Sequence, residues 1–175
     1  MPATVATIDD PHVRGVLQRL GLNSLGASTV VVSARLLTDL DADLLWDTWA
    51  DLERWPTWSR PLHCSARWLG KKAWEVGARF EQCRCMGFPF GRMMSIETVR
   101  EVNAGTSASW WKQSNGLCSC QMWSFEPQPH GGTIVGSTEV WHGPAIALAK
   151  PFVRGRWNVL FDLAVHGLVI VARHR

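Results

Sequence analysis

Six runs of strand-like residues lie between positions 63 and 142, and each ends in a short turn rich in glycine or asparagine. The predicted strands are residues 63–69, 75–86, 92–102, 106–114, 117–126 and 133–142. The segments that separate them have the composition of hairpin turns, and short turns of this kind join antiparallel neighbours. The pattern therefore predicts one antiparallel sheet built from consecutive strands.

Another strand and a helix come before this series. Residues 29–37 (TVVVSARLL) are rich in β-branched side chains and predict a first strand. Asp41 is a suitable N-cap for a helix over residues 42 to about 55, in which apolar side chains recur at helical spacing. Pro56 and Pro61 are expected to end that helix.

The pattern changes to a period of 3.6 residues after Gly143 and Pro144, which predicts a long final helix. Its recurring apolar positions are Val153, Trp157, Leu160, Phe161, Ala164, Val165 and Leu168. Pro151 should either open this helix or kink it.

Residues 1–28 are predicted to be an N-terminal extension, and residues 29–175 a single domain. Within the extension, Asp10 and Pro11 can start a short helix that stops at Gly21. This helix could act as a lid or as a dimer contact. The first twelve residues include acids and no apolar run, so we expect no secretory signal.

Composition narrows the class of protein. A chain of 175 residues with 46% hydrophobic side chains can fill one core. The net charge of +3 is small and its basic residues are scattered, so we expect no nucleic-acid partner. The most apolar tract, residues 160–172, falls short of the ~20 residues that span a bilayer, so we expect no stable membrane insertion. A cytoplasmic location follows, in which all five cysteines should be free thiols.

No metal or cofactor is predicted. Cys83 with Cys85, and Cys118 with Cys120, form two C-x-C pairs in strand-like runs. Such residues lie about 6.6 Å apart at ~3.3 Å per residue, and two thiolates bound to one zinc ion need to be closer. Structural zinc sites also favour the sequence spacing C-x(2–4)-C. No phosphate-binding or dinucleotide-binding glycine motif is present. The chain has eleven tryptophans and no tyrosine, so phenolic acid–base chemistry is excluded.

Several short motifs resemble one known family. They are Trp46-Asp47, residues 51–58 (DLERWPTW), residues 77–80 (GARF), and residues 132–135 (GTIV) before Glu139 and Gly143. In order and spacing they are similar to the polyketide cyclase/dehydrase-like branch of the START-like (SRPBCC) superfamily, over about residues 29–172. The resemblance implies an α+β helix-grip fold, in which a curved antiparallel sheet of about seven strands wraps around a long C-terminal helix. It also implies a cavity between them for an apolar or aromatic small molecule.

Alternate side chains of a strand share a face, which predicts the lining of that cavity. Phe80, if inward, brings Gln82 and Arg84 with it. The same rule groups Gln121 with Trp123 and Glu139 with Trp141, and we choose Met94 and Trp110 for the strands between. The predicted ligand-binding residues are Trp58, Phe80, Gln82, Arg84, Met94, Trp110, Gln121, Trp123, Glu139, Trp141 and Trp157. Each indole can instead be core filling, which is the commoner use of a buried ring.

Arg84 and Glu139 are the informative pair, because an inward charge must be paired, solvated or functional. Arg84 could hold a carboxylate, phenolate or enolate while Glu139 orients it or acts as a base. The two could equally form a buried salt bridge. His142 is a further candidate for proton transfer, or simply a turn residue.

Three functions remain open from the sequence. The first is a carrier or sensor of a small hydrophobic ligand such as a lipid or polyketide. The second is a cyclase or dehydratase-type enzyme that uses the same cavity, since the family's fold hosts both classes. The third is an interaction module whose cavity has collapsed. The protein is expected to be a monomer or homodimer, and the apolar turn at residues 87–91 could act as a gate.

Overall fold

The computed structural model describes residues 10–60, 62–87, 91–114 and 116–175. The helices are α1 (Pro11–Arg19), α2 (Ala42–Ala50), α3 (Trp55–Trp58) and α4 (Pro144–Arg173). The strands are β1 (Thr29–Thr38), β2 (His63–Trp68), β3 (Arg79–Gly87), β4 (Gly91–Asn103), β5 (Ser107–Ser114), β6 (Leu117–Pro127) and β7 (Thr133–His142).

All seven strands form one antiparallel sheet in the order β1-β7-β6-β5-β4-β3-β2. Consecutive strands from β2 to β7 are neighbours, as their short turns predicted, and β1 closes the far edge beside β7. α4 packs across one face, mainly against β1 and β7. The predicted helix-grip architecture is confirmed. We call the face that carries α4 the inner face.

The predicted helix over residues 42–55 is wrong in its second half. α2 ends at Ala50 because Asp51 leaves the helical region, with φ −75° and ψ 81°. A single 3₁₀ turn, Leu52–Arg54, follows, and α3 then begins at Trp55. Pro56 lies in the first turn of α3. Backbone N–H groups there have no acceptor within the helix, so a proline costs no helical hydrogen bond. The proline therefore opens a helix here rather than ending one.

α4 starts earlier than the periodicity indicated. Its first residue is Pro144, directly after Gly143, and the helix continues through Pro151. Gly143 has φ 150°, and a Cβ there would lie 2.0 Å from the carbonyl oxygen of Gly116, so only glycine fits. Residues 153–173 are long and apolar enough to cross a membrane, but 44% of that stretch is buried inside the protein. This is the helix that the sheet grips.

α1 lies on the opposite face of the sheet. Its buried side chains Val13, Val16 and Leu17 pack with Cys120 and Met122 of β6 in a second, smaller core. α1 therefore does not cover the inner face as a lid.

One cysteine prediction is wrong. Cys64 of β2 and Cys85 of β3 form a disulfide, with their Cα atoms 6.1 Å apart. The pairing joins neighbouring strands, although the two residues are 21 positions apart in sequence. Cys83, Cys118 and Cys120 are free.

Candidate ligand-binding site

Indole rings fill one end of the inner face. Trp49 of α2 stacks on Trp74 with ring centroids 4.3 Å apart, and lies 5.7 Å from Trp55 and 6.1 Å from Trp110. Phe80 meets Trp110 edge-on at 5.5 Å. We call this the aromatic end. Its rings contact one another, so they serve as core in the structure.

The other end of the inner face is polar. One charged or amide side chain from each of five adjacent strands points inward: Arg84 of β3, Glu97 of β4, Lys112 of β5, Gln121 of β6 and Glu139 of β7. All five are at most 7% exposed. We call these residues the polar cluster. So many inward-facing polar groups on adjacent strands are costly to bury unless each is satisfied.

Arg84 is the centre of the cluster. Its guanidinium donates from Nη1 to Glu139 Oε2 at 2.7 Å and from Nη2 to Gln121 Oε1 at 2.6 Å. Three strands separate β3 from β7 in the sheet, so curvature is needed to bring Arg84 and Glu139 together. The buried salt bridge, one of the two alternatives that the sequence left open, is formed.

α4 covers this pair with an aromatic ring. The guanidinium carbon of Arg84 lies 5.3 Å from the ring centroid of Trp157 and 6.0 Å from that of Trp141. Both distances are within the range of cation–π attraction. The charge is therefore enclosed by the carboxylate of Glu139, the amide oxygen of Gln121 and two indole rings.

Lys112 of β5 lies beside Trp141, one of the two rings near Arg84. Its Nζ lies 4.3 Å from the ring centroid of Trp141 and 3.9 Å from Glu97 Oε1. Burial lowers the pKa of the ammonium, the charge of Arg84 lowers it further, and the carboxylates of Glu97 and Glu139 act in the opposite direction. Glu97 is itself held by Gln82 and Ser95, each at 2.7 Å.

His63 is buried beside Arg84 on the edge strand. Its Nδ1 is 2.7 Å from Ser59 Oγ. Burial and, secondly, the charge of Arg84 hold the pKa of the imidazole well below its usual value. The ring is therefore neutral at neutral pH.

Several buried polar atoms have no hydrogen-bond partner among the described residues. At the polar end these are Arg84 Nε, Lys112 Nζ, Gln82 Oε1, His63 Nε2 and Trp141 Nε1. Buried polar groups in folded proteins are nearly always paired, so these exceptions call for an explanation. Five further atoms of this kind lie elsewhere, and they include the indole nitrogens of Trp49, Trp58, Trp110 and Trp123. Four of the five atoms at the polar end are nitrogens, and those of Arg84 and Trp141 can only donate.

Ten of the eleven predicted ligand-binding residues are buried. The structure brings Gln82, Arg84, Gln121, Glu139, Trp141 and Trp157 together at the polar end, and it places Trp58, Phe80, Trp110 and Trp123 among the packed rings. Whether any of them binds a ligand stays a prediction.

The placement predicted for Met94 is wrong. Met94 is 56% exposed, because β4 pairs Gln82 with Ser95 and Phe80 with Glu97. A register irregularity between Cys85 and Gly87 precedes these pairs. Met94 therefore faces away from α4, and Glu97 takes the inward position.

His142 does not join the cluster either. It follows the inward residue Trp141 by one position, so it lies on the other face, where Nδ1 is 3.0 Å from Thr29 Oγ1. The predicted gate at residues 87–91 falls largely outside the described residues.

Lys112 and Glu97 were missed by the sequence analysis. Lys112 follows Trp110 by two residues in the same strand, so the alternation that placed Trp110 inward also places Lys112 inward. The alternation of β5 alone thus predicts an inward-facing lysine at this position. Glu97 was hidden because the more apolar alternate set of β4, which includes Met94, was chosen as the inward one.

The described part of the chain contains no group of three or more His, Cys, Asp or Glu side chains that could hold a metal ion. Among the cysteines, burial raises the pKa of the Cys120 thiol to about 12. That thiol lies under α1, on the face opposite to the polar cluster.

No family model matches the sequence, and no curated protein matches it. Solved structures do match. The di-domain ARO/CYC StfQ from the steffimycin biosynthetic pathway superposes with a TM-score of 0.67 at 13% identity, over 85% of this chain and 52% of that one. The chain therefore spans about half the length of the di-domain protein.

Two other solved structures are also similar to this chain. A hypothetical protein from Helicobacter pylori gives a TM-score of 0.68 at 20% identity, over 82% of this chain and 88% of the other. Norcoclaurine synthase from Thalictrum flavum gives 0.59 at 15% identity, over 81% and 87%. The chain has the α+β helix-grip fold of these structures. At these identities the likeness establishes the fold and leaves the activity open.

Proposed function

We propose that this protein binds a small hydrophobic or aromatic ligand between the sheet and α4, as a carrier or sensor. The observation that carries the proposal is the group of unpartnered buried polar atoms at the polar end, next to the ring of Trp141. A ligand with a planar apolar body and one or two oxygen atoms would contact the indole and accept from those donors.

The approach to this site is expected at the end of the sheet where α4 begins. Lys112 lies two residues from the end of β5, and Gly116 in the following turn touches Gly143 at the start of α4. Two surface pockets, of about 470 and 330 Å³, lie elsewhere, near Arg173 and near Pro127. Because the side chains of the polar cluster are buried, a ligand has to displace some of them to enter at this end.

A cyclase or dehydratase-type enzyme is the second candidate. Arg84 and Glu139 are a buried acid–base pair, and Lys112 and His63 are buried basic groups near them. Folding a reactive chain against an aromatic wall while such groups move protons is a recognised way to accelerate cyclisation. The structural similarity to an ARO/CYC protein and to norcoclaurine synthase agrees with this candidate.

We place the protein in the cytoplasm, as a monomer or homodimer, without nucleic acid, cofactor or stable membrane insertion. The Cys64–Cys85 disulfide bears on this location, because such bonds are uncommon in reducing compartments. Trapping the thiols with an alkylating agent at the moment of cell lysis would measure whether this pair is oxidised in the cell. A fully reduced pair agrees with the cytoplasm, and a fully oxidised one contradicts it.

Native mass spectrometry of freshly purified protein tests the proposed function. A co-purified apolar compound supports a carrier, and turnover of a polyketide mimic supports the enzyme. An empty protein that shows no thermal shift across a library of aromatic compounds would instead favour an interaction module.

Two arginine variants locate the site. Arg84→Met should weaken binding of any compound found, whereas Arg67→Met, whose side chain is 66% exposed and pairs with Glu81, should not. Circular dichroism establishes that both variants are folded. Equal affinity in wild type and a folded Arg84→Met variant would remove Arg84 from the site.

A further inference from the structure

The amine of Lys112 is the most unusual group on the inner face. Its side chain is 7% exposed, and its Nζ has no hydrogen-bond partner among the described residues. The ring of Trp141 lies beside it at 4.3 Å, and the carboxylate of Glu97 lies 3.9 Å away, beyond hydrogen-bond distance. Buried lysines almost always have a paired ammonium. The ammonium or amine of Lys112 therefore has bonding capacity that the described residues do not use.

The neighbouring charges explain why the amine is available. Arg84 is already paired with Glu139, and its positive charge still acts on Lys112, since both cations lie near the ring of Trp141. Burial and this charge both favour the uncharged amine, as the lowered pKa of Lys112 shows. A lysine amine next to another cation in a desolvated site is a nucleophile.

A free anion is a less suitable partner for this site. Two carboxylates, Glu97 and Glu139, already lie at the polar end and would repel it. A neutral carbonyl group carries no such penalty. Its reaction product with an amine is an imine, whose protonated form would be stabilised by the carboxylate of Glu97 and the face of Trp141.

We propose that Lys112 forms an imine with an aldehyde or ketone carbonyl carried by the aromatic ligand. The inference rests on the proposed function, because the ligand must first reach the polar end. The lone pair of Nζ forms the new C–N bond as the carbonyl π bond breaks. Glu97 relays the two amine protons, one after the other, from that nitrogen to the carbonyl-derived oxygen. As the C–O bond breaks and the oxygen leaves as water, the nitrogen lone pair forms the second bond of the C=N group. One carbonyl compound and one amine thus give one imine and one water.

The proposed oxygen position has donors available. Arg84 Nε and Trp141 Nε1 are unpartnered among the described residues and belong to side chains that contact each other near Lys112. Donors of this kind polarise a carbonyl and stabilise the oxygen as negative charge develops on it.

Reductive trapping tests the proposal. The protein is incubated with 2-naphthaldehyde and sodium cyanoborohydride near neutral pH, and labelled lysines are identified by peptide mapping. The chain has four lysines, so Lys71, Lys72 and Lys150 serve as internal references. A lowered pKa raises the fraction of a lysine that is free amine near neutral pH, so Lys112 should carry more early label than any reference lysine.

Two variants and one inert probe complete the experiment. Lys112→Met should abolish the early label, and Lys71→Met, which removes a 73% exposed lysine, should leave it unchanged. Binding of 2-methylnaphthalene, which has no carbonyl, is followed separately by tryptophan fluorescence.

The outcomes are distinguishable. Preferred labelling of Lys112 supports the inference. Binding of 2-methylnaphthalene with labelling spread evenly over the four lysines overturns the inference and leaves the proposed function standing. Absence of both binding and preferred labelling overturns both.

Discussion

Arg84 shows how a single buried charge ties distant strands together. Its guanidinium bonds to Glu139 and Gln121 across the inner face, and the rings of Trp141 and Trp157 cover it. Replacing such a pair by apolar groups is often tolerated, but removing one partner leaves the other charge buried alone.

Arg84→Met should therefore lower the free energy of unfolding by about 3–5 kcal/mol, measured by urea denaturation. The double variant Arg84→Met/Glu139→Gln should recover part of this loss, because no unpaired carboxylate remains. Arg67→Met, at an exposed pair, should change the stability little. Equal stability of the single and double variants would show that the charge of Glu139 is not what destabilises the protein.

His63 makes stability depend on pH in the acidic range. Its pKa in the folded protein lies well below 6.5, so the unfolded chain binds more protons between the two values. Stability from this residue is present above pH 6.5 and is lost as pH falls towards the folded pKa, by up to about 1.4 kcal/mol per pH unit.

Urea unfolding at pH 7, 6 and 5 measures this dependence. His63→Gln, which cannot titrate, should lose less stability than wild type over this range. As a control, His166→Gln alters a half-exposed histidine on α4 and should retain the wild-type slope. Parallel slopes for wild type and His63→Gln would contradict the assignment of the acid sensitivity to His63.

At this scale the sequence predicted the polar cluster in part. Strand alternation placed Arg84, Gln121 and Glu139 correctly, because one apolar anchor in each strand fixes the parity of the others. It failed for Met94, because an apolar side chain in a strand predicts an inward orientation. The inner face of β4 instead carries the buried charge of Glu97, and the pairing of Gln82 with Ser95 shows that Met94 faces outward.

At the scale of elements, α4 and α3 meet at a glycine. A Cβ at Gly167 would lie 1.9 Å from the carbonyl oxygen of Trp58, so the two backbones can approach this closely only without a side chain. The contact holds α3 against α4 and with it one end of the aromatic core. Gly155 is a glycine of the same helix with nothing within 4 Å of the corresponding position.

This difference gives a matched pair of substitutions. Gly167→Ala should destabilise the protein by about 2 kcal/mol or more, because a backbone must move. Gly155→Ala should stabilise it by up to about 1 kcal/mol, because alanine favours the helix. Thermal unfolding of the two variants measures both signs. A neutral Gly167→Ala would mean that α3 can shift freely.

Elements separated by turns were the easiest to predict. Each hairpin from β2 to β7 was visible from its glycine or asparagine, because turns have local chemical requirements. The break between α2 and α3 was not, since Leu52 and Trp55 continue the apolar spacing through it. Buried contacts, including a hydrogen bond from Trp55 Nε1 to the carbonyl of Trp49, hold that break in place.

At the scale of the whole molecule, the sheet has a covered face on each side. α4 covers the inner face, and α1 covers part of the other through Val13, Val16 and Leu17. An ion pair between Arg19 and Glu101 adds a link from α1 to β4, and Arg19 holds the pKa of that carboxyl below its usual value. α1 thus packs on the sheet as part of the described fold.

Detaching α1 should expose Cys120. Burial keeps the pKa of this thiol at about 12, so little reactive thiolate exists near pH 8. Val16→Asp places a carboxylate at a fully buried position of α1 and should detach the helix. The rate at which iodoacetamide alkylates Cys120 should then rise at least tenfold, because each unit by which a thiol pKa falls gives about ten times more thiolate. Gln18→Asp, on the exposed side of α1, adds the same charge and should leave the rate unchanged.

Peptide mass spectrometry follows Cys120 separately from Cys83 and Cys118. If Cys120 stays protected in a folded Val16→Asp variant, the sheet itself rather than α1 shields the thiol, and the extension is not an integral cover of that face.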